Sequence, residues 1–463
     1  MHSNPVGRDS VNDMGMSRMK RPLLTPPIQR KHLYYRLTWF WVWGGVMRFF
    51  RVRGADGVHH LPPTGQPTIL ISNHQNGLMD PLVSCAFMSA QIHWLTRADV
   101  FWNPLARHIM YGYNQLPIYR RRDRVEDLRE RNDIIFDVCV DRLEKGAAMG
   151  IFPEGNHNLF PSLRELRGGL TEMVARSAAK HPQLKHMLQV VPVGLDYESY
   201  ATAGSQLRLR VGAPIPFGDL IDAEGILDKP AFNNRVRQAM GEVMVNIQPE
   251  EGQPFLHDAV RACRTTDMDI PDFRAFRERL EHWAARWVAD PSWAERVKSS
   301  HVACVEAFRQ TSAPGRPEAW GCQANDTRTR IPAMGLLNVL AWIANLPTWP
   351  AMKGIQHRVK RMVSKDDFVA TLSVGLAIIF YPIIWLLWAG VGGWLAPEGW
   401  GWMAAAGMWI WGQAGSKFHD HVQGLRIQHR DANNGQVFWN DPSQTTARKA
   451  WSNYLSILHE SAP

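Results

Sequence analysis

Two side chains in the stretch Ile71-Ser-Asn-His-Gln-Asn-Gly-Leu-Met-Asp80 have types suited to proton transfer. Histidine titrates near neutrality, so His74 can take a proton from an alcohol. A carboxylate behind it, Asp80, would fix the imidazole tautomer and stabilise the imidazolium. Six positions on one continuous helix rotate a side chain by about 240°, so the two could not share a site there. A turn must come between them. Asn76 and Gly77 supply its chemistry, leaving His74 on a loop and Asp80 in a first helical turn. Such a base contributes about 10²- to 10⁴-fold, and positioning and oxyanion donors must add the rest. Alone, the pair is a weak signal, and a capping aspartate beside a solvated histidine is the plainer reading.

Two further stretches carry anion chemistry. Ile151-Phe-Pro-Glu-Gly-Asn-His157 ends an apolar run in a glycine that lets backbone N–H groups approach an anion, and Arg164 and Arg167 follow it. Between the two stretches, Leu116-Pro-Ile-Tyr-Arg-Arg-Arg122 empties into three arginines, the residue that best grips phosphate. A solvated basic turn is an equally good reading of that run by itself.

The elements that must position these groups follow α/β grammar. From residue 66 to 217, PTILISN, AAMGIFP, QVVPVGL and RLRVGAPI alternate with helical patterns, among them a polar helix from Val125 to Lys145. Open α/β sheets place ligand sites at the carboxyl ends of their strands, where these motifs fall.

Around this core the composition is that of a membrane protein. The net charge of +9 suits an anionic surface, and 20 Trp among 463 residues favour lipid over nucleic acid. Residues 1–33 read as a disordered basic leader without a secretory signal. Residues 34–52, YYRLTWFWVWGGVMRFFRV, read as an aromatic interfacial helix. The catalytic domain is expected over 53–250 and a helical region without evident chemistry over 251–330. Residues 331–421 make a hydrophobic membrane region, and 422–463 a C-terminal tail. Phe368 to Pro397 runs without one charge, and a second uncharged stretch, Gly399 to Ser416, would pair with it as a hairpin. His419, Asp420 and His421 are expected to form a polar turn after it. Lys and Arg on both flanks place both ends in the cytosol. The five cysteines form no CxxC pair, so neither a disulfide framework nor a zinc site is expected.

With these residues in view, the sequence resembles the glycerolipid acyltransferases, the phosphate acyltransferase or lysophospholipid acyltransferase superfamily, whose four blocks occur in order. The first is NHQNGLMD, with five residues between His74 and Asp80 where the family usually has four. That spacing resembles the glycerol-3-phosphate/dihydroxyacetone-phosphate acyltransferase subgroup. The second, NQLPIYR, keeps Arg120 but has Asn114 in place of glycine. The third is intact as Phe152 to Gly155, with Asn156 and His157 where serine or threonine is usual. The fourth is Val191, Pro192 and Val193.

The resemblance implies a glycerolipid-acyltransferase-like sheet with flanking helices, plus a helical insert and a C-terminal membrane hairpin. It makes His74 the catalytic base, Asp80 its partner, and Arg120, Glu154 and Gly155 the phosphate-binding residues. Asn73, Arg122, His157 and Arg164 are additional candidates. Because a carboxylate repels phosphate, Glu154 is expected to orient Arg120 or a hydroxyl. Implied partners are a phospholipid membrane, a phosphorylated glycerol acceptor and an acyl thioester on CoA or acyl-carrier protein, with no metal and no resident cofactor. The expected reaction is acylation of 1-acylglycerol-3-phosphate in phospholipid synthesis. The alternative acceptors are glycerol 3-phosphate and dihydroxyacetone phosphate. No GxSxG, GxxxxGK[ST] or HExxH motif offers a competing chemistry, and a lipid-binding membrane scaffold is the non-enzymatic alternative.

Overall fold

The computed structural model describes residues 22–28, 32–88, 90–155, 160–263, 273–315, 317–321, 333–362 and 369–460. Its centre is a seven-stranded sheet: β1 (Arg51–Asp56), β2 (Thr68–Ser72), β3 (Ile92–Arg97), β4 (Leu116–Ile118), β5 (Ala148–Ile151), β6 (Gln189–Tyr197) and β7 (Gln206–Val211), in spatial order 1-7-6-2-5-3-4. From β6 through β4 every pairing is parallel, and β7 runs antiparallel to β6. The α/β class expected from the sequence is the one found. Strand β2 is buried at all five positions, because helices cover both faces of the sheet.

On one face lie α4 (Leu128–Glu144), α5 (Gly169–Lys180) and α6 (Lys229–Val243), which bury Ile135, Met173 and Val236 against Ile69, Ile71 and Met149. The other face carries α1 (His32–Phe49) and α2 (Met79–Phe87), whose Val46, Met79 and Val83 pack on Leu70, Trp94 and Val191. Helix α3 (Pro104–Gly112) caps the edge near β4 and is itself capped by Asn103, which accepts from the N–H groups of Leu105 and Ala106.

A second core is wholly helical. Helices α7 (Gln253–Cys263), α8 (Phe273–Ala289) and α9 (Pro291–Thr311) enclose Trp283, Trp287 and Trp293. Three helices follow: the apolar α10 (Met334–Ala344), the basic α11 (Trp349–Met362) and the apolar α12 (Val369–Leu395). Then come the 40-residue α13 (Gly401–Asn440) and α14 (Thr445–His459).

Helices α12 and α13 pack side by side as a hairpin. Gly412 makes room for the Trp385 ring, since a Cβ there would lie 1.4 Å from the indole. Helix α12 is long and apolar enough to cross a membrane, and Ile383, Leu386, Leu387 and Trp394 stand exposed along it.

Three features differ from the expectations. Helix α13 does not end near Ser416. It continues to Asn440, so His419, Asp420 and His421 lie within a helix and not in a turn. The continuation is held by burial, with Val422 packed against Met334 and Phe438 seated in the helical core. Residues 422–463 also do more than trail the domain: α14 buries Trp451 and Tyr454 in that core, and Trp283 and Trp293 donate to the Leu458 and Ile457 carbonyls at 3.0 and 2.8 Å. Finally, the leader expected over 1–33 falls largely outside the described residues, but its 22–28 portion docks on the domain. There the Arg142 guanidinium donates to the Pro26 carbonyl at 2.9 Å.

Candidate active site

The parallel strands run the same way, so their carboxyl ends share one edge. In spatial order they deliver Arg120 after β4, Asp99 after β3, Glu154 after β5, His74 after β2, and Tyr197 as the last residue of β6. The first-block loop leaves β2 at Ser72 and turns at Gly77, whose φ of +41° is left-handed and suited to glycine. It enters α2 at Met79, which places Asp80 in the first helical turn.

Asn73 is fixed to β6. Its amide donates to the Leu195 carbonyl and its oxygen accepts from the Leu195 N–H, both at 2.8 Å. The side chain of this additional candidate thus braces the loop that carries His74.

Asp80 is fully buried and accepts four hydrogen bonds. Its Oδ2 takes the backbone N–H groups of Gln75 and Asn76 at 2.7 and 2.8 Å and lies 2.8 Å from His74 Nδ1. Its Oδ1 accepts from the Tyr197 hydroxyl at 2.6 Å. Because the carboxylate only accepts, Nδ1 carries the imidazole proton and Nε2 carries the lone pair. The His74 side chain is 17% exposed, enough for a reactant to reach it.

Its ring stacks on Phe152, with centroids 4.0 Å apart and planes at 12°, and Phe152 stacks in turn on Trp94 at 4.8 Å. Gly150 lies opposite Trp94 in the sheet, and a Cβ there would sit 2.5 Å from the indole. Glycine at this position lets Trp94 lie flat under the stack.

Glu154 does not reach Arg120, contrary to one expectation. It accepts from Arg164 Nε at 3.1 Å and from the Arg164 backbone N–H at 3.4 Å. Burial raises the Glu154 carboxyl above the ordinary glutamate range, while Arg164 and the His74 backbone N–H pull it back only in part. Gly155 has φ +72°, and a Cβ there would meet Arg167 Cγ at 3.0 Å.

Arg120 is held instead by Asp123 at 3.2 Å and Asp99 at 3.4 Å, and its side chain is 23% exposed. Burial works to raise the Asp99 carboxyl, but Arg97, Arg120 and Arg122 together hold it below the usual range. Arg122 is exposed and contributes to this positive edge. His157 lies outside the described residues.

Asn114, the residue in the usual glycine position, has φ +58°. Asparagine is among the few side chains that tolerate left-handed backbone, so the substitution keeps the turn that glycine would make. Arg142 braces that turn by donating to the Asn114 carbonyl at 2.7 Å.

Sequence reasoning missed Tyr197, which stands 117 residues from Asp80, and the Trp94–Phe152 support. The only local signal for Tyr197 was its place at the end of the strand that begins with the fourth block. Among the described residues no group of three or more His, Cys, Asp or Glu side chains is placed to hold a metal ion.

Residues 50–196 match the Acyltransferase family. A chloroplastic 1-acyl-sn-glycerol-3-phosphate acyltransferase of Arabidopsis thaliana is 23% identical over 157 residues, 34% of this chain and 41% of that protein. The human 1-acyl-sn-glycerol-3-phosphate acyltransferase alpha is 26% identical over 209 residues, 43% of this chain and 65% of that protein. A 1-acyl-sn-glycerol-3-phosphate acyltransferase of Chlamydomonas reinhardtii is 24% identical over 175 residues, 37% of this chain and 47% of that protein. The matched region thus spans 41% to 65% of these relatives' length.

Proposed function

We propose that this chain, a member of the glycerolipid acyltransferase superfamily through residues 50–196, transfers a fatty acyl group from a thioester to the free hydroxyl of 1-acylglycerol-3-phosphate. The observation that carries the reading is the buried Asp80 holding His74 Nδ1 at 2.8 Å. That contact leaves Nε2 as the proton-accepting nitrogen at the carboxyl edge of the sheet.

In the reaction His74 Nε2 takes the acceptor hydroxyl's proton as its oxygen attacks the thioester carbonyl. The tetrahedral intermediate collapses, the C–S bond breaks, and the leaving thiolate takes the proton from the imidazolium. No covalent acyl-enzyme forms. Asp80 stabilises the imidazolium, and Phe152 keeps its ring in plane.

Arg120 would grip the acceptor's phosphate. Three inter-strand steps of about 4.8 Å, roughly 14 Å in all, separate the β4 end from the β2 end. An extended arginine on one side and a glycerol phosphate reaching toward His74 on the other fit that span. Glu154 would orient Arg164 toward the same anion, with the Gly155 turn beside it.

The relatives' names support lysophosphatidate as the acceptor. The five residues between His74 and Asp80 favour a second reading, in which glycerol 3-phosphate or dihydroxyacetone phosphate is acylated. The donor is acyl-CoA or acyl-carrier protein, and the reaction serves phospholipid synthesis. The α12–α13 hairpin and the aromatic α1 anchor the enzyme as an integral membrane protein. Lys353 and Arg361 before α12, with Lys417 and Arg426 in the polar half of α13, support a catalytic domain on the cytoplasmic face.

The deciding experiment gives purified protein labelled acyl-CoA or acyl-carrier protein and, separately, lysophosphatidate, glycerol 3-phosphate and dihydroxyacetone phosphate. The expected result is product with lysophosphatidate, reduced by about 10²- to 10⁴-fold in His74→Ala. Product with a different phosphate acceptor selects the second reading, and no transfer to any acceptor returns the chain to a lipid-binding scaffold.

A further inference from the structure

We infer that Tyr197 is a positioning residue for the base, setting the proton affinity of His74 through Asp80; the inference rests on the proposed acyl transfer. The three donors on Asp80 Oδ2 are His74 itself and two backbone N–H groups of its own loop, which any carboxylate at that place would receive. Oδ1 has a different kind of partner. Tyr197 reaches it at 2.6 Å from the end of β6, so a side chain on a separate strand fixes the rotation of the carboxylate.

The hydroxyl is itself held. Tyr197 is 3% exposed, with its ring 5.3 Å from that of Phe50 and 5.6 Å from that of Tyr200. Phe50 ends the segment that joins α1 to the sheet, so the aromatic helix forms one wall of the pocket around this phenol.

A hydrogen bond to one carboxylate oxygen withdraws negative charge from the oxygen facing the imidazole. Tyr197 therefore lowers the field that Asp80 exerts on an imidazolium and so tempers the pull of the dyad on the proton. The other groups facing His74 are Phe152, which stacks on it, and Glu154, which accepts from its backbone N–H and is balanced by Arg164. None of these touches Asp80 Oδ1.

The test is Tyr197→Phe in the full-length protein, a change that keeps the ring and removes only the oxygen. The His74 imidazole titration, followed by NMR of ring-labelled histidine and assigned by its loss in His74→Gln, should move to higher pH by about half a unit to one unit. The acid limb of the kcat profile should move with it, while KM for the acceptor stays within about twofold. Tyr197→His, which restores a donor on a shorter ring, should recover part of the shift.

An unmoved titration and an unmoved acid limb would overturn the proposal. A uniform fall in kcat with no shift would also overturn it, because it would leave Tyr197 a packing role alone. The NMR arm needs no turnover, so a shifted titration in a protein that transfers no acyl group would retain the coupling and reject the acyltransferase reading instead.

Discussion

Replacing Asp80 by asparagine isolates the charge of the dyad from its geometry. The hydrogen bonds dictate how the new amide must sit. The oxygen facing His74 accepts three N–H donors, a position only a carbonyl oxygen can fill, whereas the other oxygen faces a hydroxyl able to reverse its role and accept. In Asp80→Asn the amide would therefore keep its carbonyl toward His74 Nδ1 and its NH₂ toward Tyr197, and the imidazole tautomer would not change. What is lost is the ionic part of one hydrogen bond to the imidazolium. A hydrogen bond to a charged group is worth about 1.5–3 kcal/mol, and each 1.36 kcal/mol is tenfold in rate. The expected fall in kcat is roughly 10- to 160-fold, with little change in KM. A tautomer flip would cost about 10⁴-fold. Steady-state transfer from labelled acyl-CoA, with thermal melts of both proteins as a folding control, makes the measurement. A fall of less than threefold would mean that Asp80 does not stabilise the imidazolium. A fall beyond 10³-fold in a folded protein would refute the amide orientation reasoned here.

Asn114→Gly should leave thermal stability nearly unchanged, whereas Asn114→Val should cost about 1–3 kcal/mol at a φ of +58°; equal melts for the two variants would reject the backbone account. Glu154→Gln should raise the melting temperature at pH 7.5 while lowering activity. Burial raises the folded-state pKa of Glu154, so the folded protein binds the proton more tightly, and stability from this group falls as pH rises from the unfolded value through the folded one. The gain over wild type should accordingly vanish below about pH 4, where both states are protonated. A gain that persists there would point to packing instead of charge. Deleting Val369 to Ser416 with a short flexible bridge should shift the protein toward the soluble fraction. Unchanged membrane association would make α1 the main anchor.

Much of the sheet was legible because β2, β5 and β6 are continuous apolar runs ending in glycine, proline or polar residues. Their ends also carry the motifs. Strands β1 and β3 were not, since RVRGAD and IHWLTR mix charge with apolar residues; the first is an edge strand, and the second hides His93 against Arg142. The turn between His74 and Asp80 followed from helical geometry alone. Which arginine Glu154 would meet did not, because the choice between Arg120 and Arg164 depends on how the chain after Gly155 folds back over the strand end. The true length of α13 was equally hidden. Its polar half, from Lys417 onward, is helical because Val422 and Phe438 find partners far away in sequence, a condition no local pattern reports.

Those distant partners set an order of assembly. Trp283 donates to a carbonyl 175 residues further along the chain, and the hairpin is synthesised between the two. At about 5–20 residues per second, the indoles of α8 and α9 wait roughly ten to thirty seconds on the ribosome for α14 to arrive. The helical module is thus a clasp that closes only after the hairpin has been made. Fragments ending before residue 445 would leave the clasp open, with its tryptophans exposed to whatever surface lies nearest.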